Sequence, residues 1–196
     1  MAYIELNNPY QGIRGLLVYS PDTAIPLLEL ANSLLQTDSE LSKGERELIA
    51  TYVSYKNDCR FCQLSHGGAA AHHVQCSLDD IEAFKKDMQH SQLVSDKMKA
   101  LLNIAAKVQQ GGKNVLQEDI NAAKELGATD KQLHDTVLIA ATFCMYNRYV
   151  DGMNTWSEED PATYMDASKR MAEQGYMRKE TLDMIGKRKE ELAAQK

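Results

Sequence analysis

The chain has 196 residues, is 43% hydrophobic and carries a formal net charge of −6, which suits one domain, or a domain with an appendage, that buries a core. Acidic and basic residues are mixed along it, which argues against a nucleic-acid partner, and no apolar run is long enough to span a bilayer. The first residues show no basic segment followed by an apolar one, so no signal peptide is expected and the expected compartment is the reducing cytoplasm.

Only 4 prolines and 11 glycines occur, as long helices require. Residues 1–21 read as irregular, punctuated by Asn7, Asn8, Pro9, Gly12, Gly15 and Pro21, with Leu16, Leu17, Val18 and Tyr19 as an apolar anchor. Asp22 caps a helix to about Thr37, whose apolar positions Ala24, Leu27, Leu28, Ala31, Leu34 and Leu35 follow helical spacing; Pro26 is tolerated in its first turn. Ser42 and Glu45 read as a capping box for a helix through Leu48, Ile49, Tyr52 and Val53. Asn57-Asp58 breaks that helix and offers an N-cap for the next. This next helix carries Cys59, Cys62 and His66, then the small residues Gly67, Gly68, Ala69, Ala70 and Ala71, and His72 and His73 near its end. Ser77 caps a short helix with Ile81 and Phe84 on its apolar side. Residues from about Val94 to Gln110 form another, stopped by Gly111-Gly112. Gln117 to Leu126 follows, ended by Gly127, and Thr129 opens the last core helix, which runs through Val150.

No sustained strand alternation is present, so the expectation is an all-α bundle of about seven core helices. Residues 1–156 are read as the helical domain and 157–196 as a C-terminal helical extension. Its mostly charged end, residues 178–196, reads either as a solvated surface helix or as an arm that packs on a neighbouring subunit.

Offsets of three and seven fall on one helix face, so Cys59, Cys62 and His66 form a stripe. Cys59 in the first turn would meet unpaired N–H groups and the helix dipole, which favour a thiolate. In a reducing compartment a close cysteine pair is more often catalytic or metal-binding than a permanent crosslink. A thiolate can cleave the O–O bond of a peroxide and become a sulfenic acid, with which a second cysteine condenses to a disulfide. His66 can relay a proton, and a further acid–base group near the thiols would protonate the departing oxygen. Glu47 precedes Cys59 by twelve residues. If the two helices form a hairpin, Glu47 faces the dithiol and Glu45 belongs to the cap.

Other chemistries compete. Cys59, Cys62, His66, His72, His73 and Cys76 are zinc-type ligands, but one continuous helix rarely wraps four of them around an ion. A dithiol without turnover would make the chain a redox-sensing or binding protein. Cys76 and Cys144 read as core or semi-buried thiols, His72 and His73 as surface or interface residues, and Arg148 as a possible holder of a buried carboxylate such as Glu47. Neither a Gly-rich phosphate loop nor a dinucleotide fingerprint is present, and no haem, flavin or nucleotide cofactor is indicated; outside the competing zinc reading, no metal is expected.

Glu45-Arg46-Glu47-Leu48-Ile49-Ala50, Val53-Ser54, Asn57, Cys59-Arg60-Phe61-Cys62 and His66, at these spacings, resemble the alkyl hydroperoxidase D-like family, which shares its fold with carboxymuconolactone decarboxylases. Asn147-Arg148-Tyr149-Val150-Asp151-Gly152 resembles its peroxidase-related branch. The resemblance covers roughly residues 1–155. It implies an all-helical fold assembled as a homo-oligomer, a trimer or hexamer, and a peroxidase that takes a hydroperoxide and an unidentified dithiol reductant. It implies Cys62 as the peroxidatic thiol, Cys59 as its partner and proton donor, and His66 with Glu47 as the proton relay. Phe61 departs from the pattern: better-studied hydroperoxidases have an additional His there, so one base fewer is present. The decarboxylase branch lacks the C-x-x-C pair, so decarboxylation is not the expected chemistry.

Overall fold

With apolar residues spaced at helical intervals and polar loops between them, the side chains are buried by packing helix on helix. The computed structural model describes residues 2–194 and, among these, contains helices and turns and no strand. In chain order the helices are α1 (Ile13–Tyr19), α2 (Pro21–Leu35), α3 (Lys43–Lys56), α4 (Arg60–Val74), α5 (Leu78–Lys86), α6 (Asp96–Gln110), α7 (Gln117–Glu125), α8 (Asp130–Gly152), α9 (Met165–Gln174) and α10 (Lys179–Ala194). Short 3-10 segments precede α7 and α9. Among the described residues, no helix is long and apolar enough to cross a membrane.

The helix starts follow local chemistry. The Ser42 Oγ accepts from the Glu45 N–H, and the Ser42 N–H donates back to Glu45 Oε2 at 2.8 Å. Reciprocal boxes also open α5, at Ser77 and Asp80, and α8, at Thr129 and Gln132. The seven helices expected between Asp22 and Val150 are present as α2 to α8. Residues 1–21, expected to be irregular, contain α1: Leu16, Leu17 and Val18 are buried on it, so tertiary burial stabilises a helix only seven residues long.

α3 and α4 form the centre, an extensively packed αα-hairpin. α8 lies across α3 and α6, α9 against α4, and α10 against α2 and α1. Leu48, Ile49, Val53, Ala70, Leu101, Leu102, Ile139 and Phe143 share one core. A smaller cluster of Cys59, Phe61, Cys62, Val150 and Tyr164 sits at the turn of the hairpin.

The glycine- and alanine-rich face of α4 lets neighbours approach closely. A Cβ on Gly68 would lie 2.7 Å from the Cβ and Oγ of Ser168 on α9, and that Ser168 hydroxyl donates to the Ser65 carbonyl at 2.8 Å. Residues 157–194 are thereby held on the bundle of their own chain, with Tyr164, Ser168, Ala172, Tyr176 and Ile185 buried.

Candidate active site

The site is built at the turn between α3 and α4. Asn57 caps the end of α3, and its side chain is pinned from two other elements, α8 and α6. Its Nδ2 donates to Asn147 Oδ1 on α8 at 2.8 Å, Asn147 Nδ2 donates to Ser54 Oγ at 3.0 Å, and Gln109 Nε2 on α6 donates to Asn57 Oδ1 at 2.9 Å. Asp58 then takes a left-handed conformation with φ 57°, which Asp tolerates better than most residues. The chain turns back through Cys59 into α4.

This turn revises the expected start of the helix. The N-cap is neither Asn57 nor Asp58 but Cys59, whose backbone is extended. Cys62 is therefore the cysteine in the first turn, three residues inside the cap, where free N–H groups and the helix dipole act. The expected lowering of the Cys59 pKa is reversed. Hydrogen bonding to the Cys62 side chain, and then burial, push the Cys59 thiol far up. Both cysteines are free thiols and both are buried. The Asp151 carboxylate at the end of α8 lies beside Cys59. Burial raises its pKa, and hydrogen bonding with the Cys59 thiol pulls it part of the way back.

Glu45 is taken up by the Ser42 cap. Glu47 points inward and is fully buried. A lone carboxylate there would be costly, and two donors meet it. His66 Nδ1 lies 2.8 Å from Glu47 Oε2, and the Tyr176 hydroxyl donates to Oε1 at 2.7 Å. These bonds set the imidazole with its proton on Nδ1 and leave Nε2 unengaged by the carboxylate. Tyr176 OH also lies 3.1 Å from His66 Nδ1. The His66 ring stacks on Tyr176 at 17° between planes, and meets Phe143 edge-on with centroids 4.6 Å apart. Burial and the neighbouring Glu47 hold the Tyr176 phenol well above its ordinary pKa, so it stays a donor.

Cys62, His66 and Tyr176 line one cavity of about 60 Å³, closed by Ile13, Leu28, Phe61 and Phe143. It adjoins a wider cavity of about 290 Å³, with Phe61, His66 and Tyr176 on both walls. Phe61 is wedged in place: a Cβ on Gly12, which has φ 57°, would lie 2.2 Å from its ring. A larger depression of about 470 Å³ lies over Cys76 and Asp80, and none of Glu47, Cys59, Cys62 and His66 is on its wall.

Glu47 and His66 are bonded, His66 and Cys62 share a cavity wall, and the Cys59 thiol is hydrogen-bonded with Cys62. Arg148 does not hold Glu47; its guanidinium donates to the Cys144 carbonyl at 3.0 Å. Cys144 is buried and Cys76 half-buried. His72 lies at the surface, 3.8 Å from Glu173. Among the described residues, no three His, Cys, Asp or Glu side chains are grouped to hold a metal ion. Two residues of the site escaped the sequence reading. Asp151 stood only within the Asn147–Gly152 resemblance. Tyr176 follows the helix-ending Gly175 in a polar tail, and nothing local ties it to a glutamate so distant in sequence.

Residues 21–88, which carry Glu47, Cys59, Cys62 and His66, match the model of the carboxymuconolactone decarboxylase family. Over that segment the chain is similar to this family. No curated protein sequence matches it. Its fold is similar to that of an alkylhydroperoxidase AhpD core, an uncharacterised peroxidase-related protein from Ralstonia eutropha JMP134, with 25% identity, 76% of each chain covered and a TM-score of 0.69. A peroxidase-related protein from Silicibacter sp. TM1040 shares the fold at 22% identity, 78% of each chain and a TM-score of 0.64. The matched segment supplies α2 to α5 of the bundle, whereas Asp151 and Tyr176 come from outside it.

Proposed function

We propose that the protein is a thiol-dependent peroxidase that reduces hydroperoxides through a Cys59–Cys62 dithiol/disulfide cycle, with Glu47 and His66 as its proton relay. The observation that carries this reading is a buried Glu47 bonded to His66 at 2.8 Å, with His66 and Cys62 on the wall of one small cavity. The peroxidase-related name of the similar Ralstonia protein points the same way.

The Cys62 thiolate attacks the terminal oxygen of ROOH. The O–O bond breaks, the sulfur loses two electrons and becomes a sulfenic acid, and the departing alkoxide takes a proton to leave as ROH. His66 delivers that proton from its cavity side, while Glu47 stabilises the charged imidazole through Nδ1. Cys59 is held as a thiol beside Cys62. Its sulfur then attacks the sulfenic sulfur, an S–S bond forms, and the hydroxide leaves with the proton as water. An external dithiol returns two electrons and two protons by thiol–disulfide exchange.

The test is steady-state consumption of cumene hydroperoxide with dithiothreitol, comparing the wild type with Cys62→Ser. Saturable turnover that is lost in the variant is expected. Turnover that survives in Cys62→Ser overturns the assignment of the nucleophile, and a wild type that consumes no peroxide with any of several dithiols overturns the activity.

A further inference from the structure

Beyond the dithiol, the wider cavity carries an arrangement that peroxide cleavage does not use. Arg14, Arg170 and Arg178 all line it, against Asp166 and Glu180. This is a local surplus of positive charge in a chain whose net charge is −6. Glu180 is shared: its Oε1 lies 3.3 Å from Arg178 Nη1 and 3.9 Å from Arg170 Nε. The Arg14 guanidinium sits over the Tyr10 ring, 5.3 Å from its centroid. The Arg178 side chain is only 12% exposed. Its Nε is shut off from solvent without a hydrogen-bond partner, and its Nη1 meets the Glu180 carboxylate as an ion pair. Gathering three guanidinium groups around one cavity, against two carboxylates, leaves mutual repulsion. A bound anion relieves that repulsion.

The cavity also has a direction. Its arginine-lined part adjoins the smaller apolar cavity that reaches Cys62, through the shared walls of Phe61, His66 and Tyr176. A ligand that fills both has an anionic end and an apolar body, with its reacting end toward the thiol. The surplus matches one negative charge, which favours a carboxylate over a dianionic phosphate. We propose that Arg178, assisted by Arg14, binds the carboxylate of an organic hydroperoxide whose apolar body lies along Phe61. The inference rests on the peroxidase reading for the identity of the reacting group, and on the arginine-lined cavity alone for the anionic end.

Two measurements separate these. The first compares kcat/KM for cumene hydroperoxide and for its para-carboxylate, with dithiothreitol as the fixed reductant. The wild type is expected to favour the carboxylate about tenfold, as one charge-assisted contact allows. Arg178→Gln is expected to bring that ratio close to one, and Arg14→Gln supplies the same readout should Arg178→Gln fail to fold. A wild-type ratio near one, or a ratio unchanged in the folded variants, overturns the proposal. The second titrates 4-isopropylbenzoate, which has the ring and carboxylate but no peroxide, into the protein by calorimetry. Binding that weakens about tenfold in the arginine variants supports the anion site even if neither peroxide is consumed. Absence of binding, or binding indifferent to both substitutions, overturns it.

Discussion

At the scale of the residue, Tyr176 and Glu47 show how a buried charge is kept. The Glu47 carboxylate has no access to water, so each of its oxygens takes a donor from a different part of the chain: His66 from α4 and Tyr176 from the segment between α9 and α10. Tyr176→Phe removes one donor and leaves the ring in place. It is expected to lower stability by about 1.5–3 kcal/mol, the range for a hydrogen bond to a charged group, in urea unfolding followed by circular dichroism. It is also expected to lower kcat severalfold with little change in KM, because the relay is loosened and not removed. Glu47→Gln should lower kcat more, about a hundredfold, in keeping with the loss of an acid–base partner. Equal rates for Glu47→Gln and the wild type would remove Glu47 from the relay.

At the scale of the element, the small-residue face of α4 decides where Tyr176 stands. Gly68 admits Ser168 at a distance that a side chain would fill, and the Ser168–Ser65 bond sets α9 against that face. Gly175, at φ 76°, then ends α9, and the Tyr176 N–H donates to Asn32 Oδ1 at 3.1 Å. Gly68→Val is therefore expected to push α9 away and carry Tyr176 with it. Overpacking of this kind costs about 1–3 kcal/mol, or roughly 2–12 °C of Tm in a chain of this size. Differential scanning calorimetry measures that loss, and Tyr176→Phe in the same background should then add less than it does alone. Full additivity would show that α9 does not position Tyr176.

At the scale of the whole molecule, the buried acids with raised pKa values make the fold sensitive to alkali. Cys59 is raised from an ordinary 9.0 by its hydrogen bond with Cys62 and then by burial, Cys76 from 9.0 by burial, and Tyr176, Tyr52, Tyr146, Tyr149 and Tyr164 from 10.0 mainly by burial. A group whose folded pKa lies above its unfolded one contributes its full stability below the unfolded value. That stability is lost as the pH rises toward the folded value, because the unfolded chain releases the proton first. Stability is expected to be level up to about pH 9 and to fall steeply above it. Cys59→Ala should make the first part of the fall, just above pH 9, shallower, with Cys76 still contributing there before the phenols begin near pH 10. Urea midpoints between pH 7 and pH 11 measure this, and a wild-type curve that is flat to pH 11 would contradict it.

Much of this protein is written locally. The caps at Ser42, Ser77 and Thr129, the stops at Gly111 and Gly127 and the apolar spacing of α2 to α8 depend on residues a few positions apart, so the all-helical fold was readable. The position of Glu47 inside and Glu45 at the cap was readable for the same reason: the capping box claims one, and helical periodicity turns the other inward. Tertiary structure decided the rest. Cys59, not Asn57 or Asp58, begins α4, because the Asn57–Asn147–Gln109 network holds the turn and leaves Asp58 left-handed. α1 is helical because the bundle buries one of its faces. Tyr176 reaches Glu47, and Arg14, Arg170 and Arg178 meet at one cavity, only after α9 and α10 have packed on the bundle. Periodicity and capping act over a few residues, whereas Tyr176 meets Glu47, and Arg14 shares a cavity with Arg170 and Arg178, across more than a hundred residues of chain.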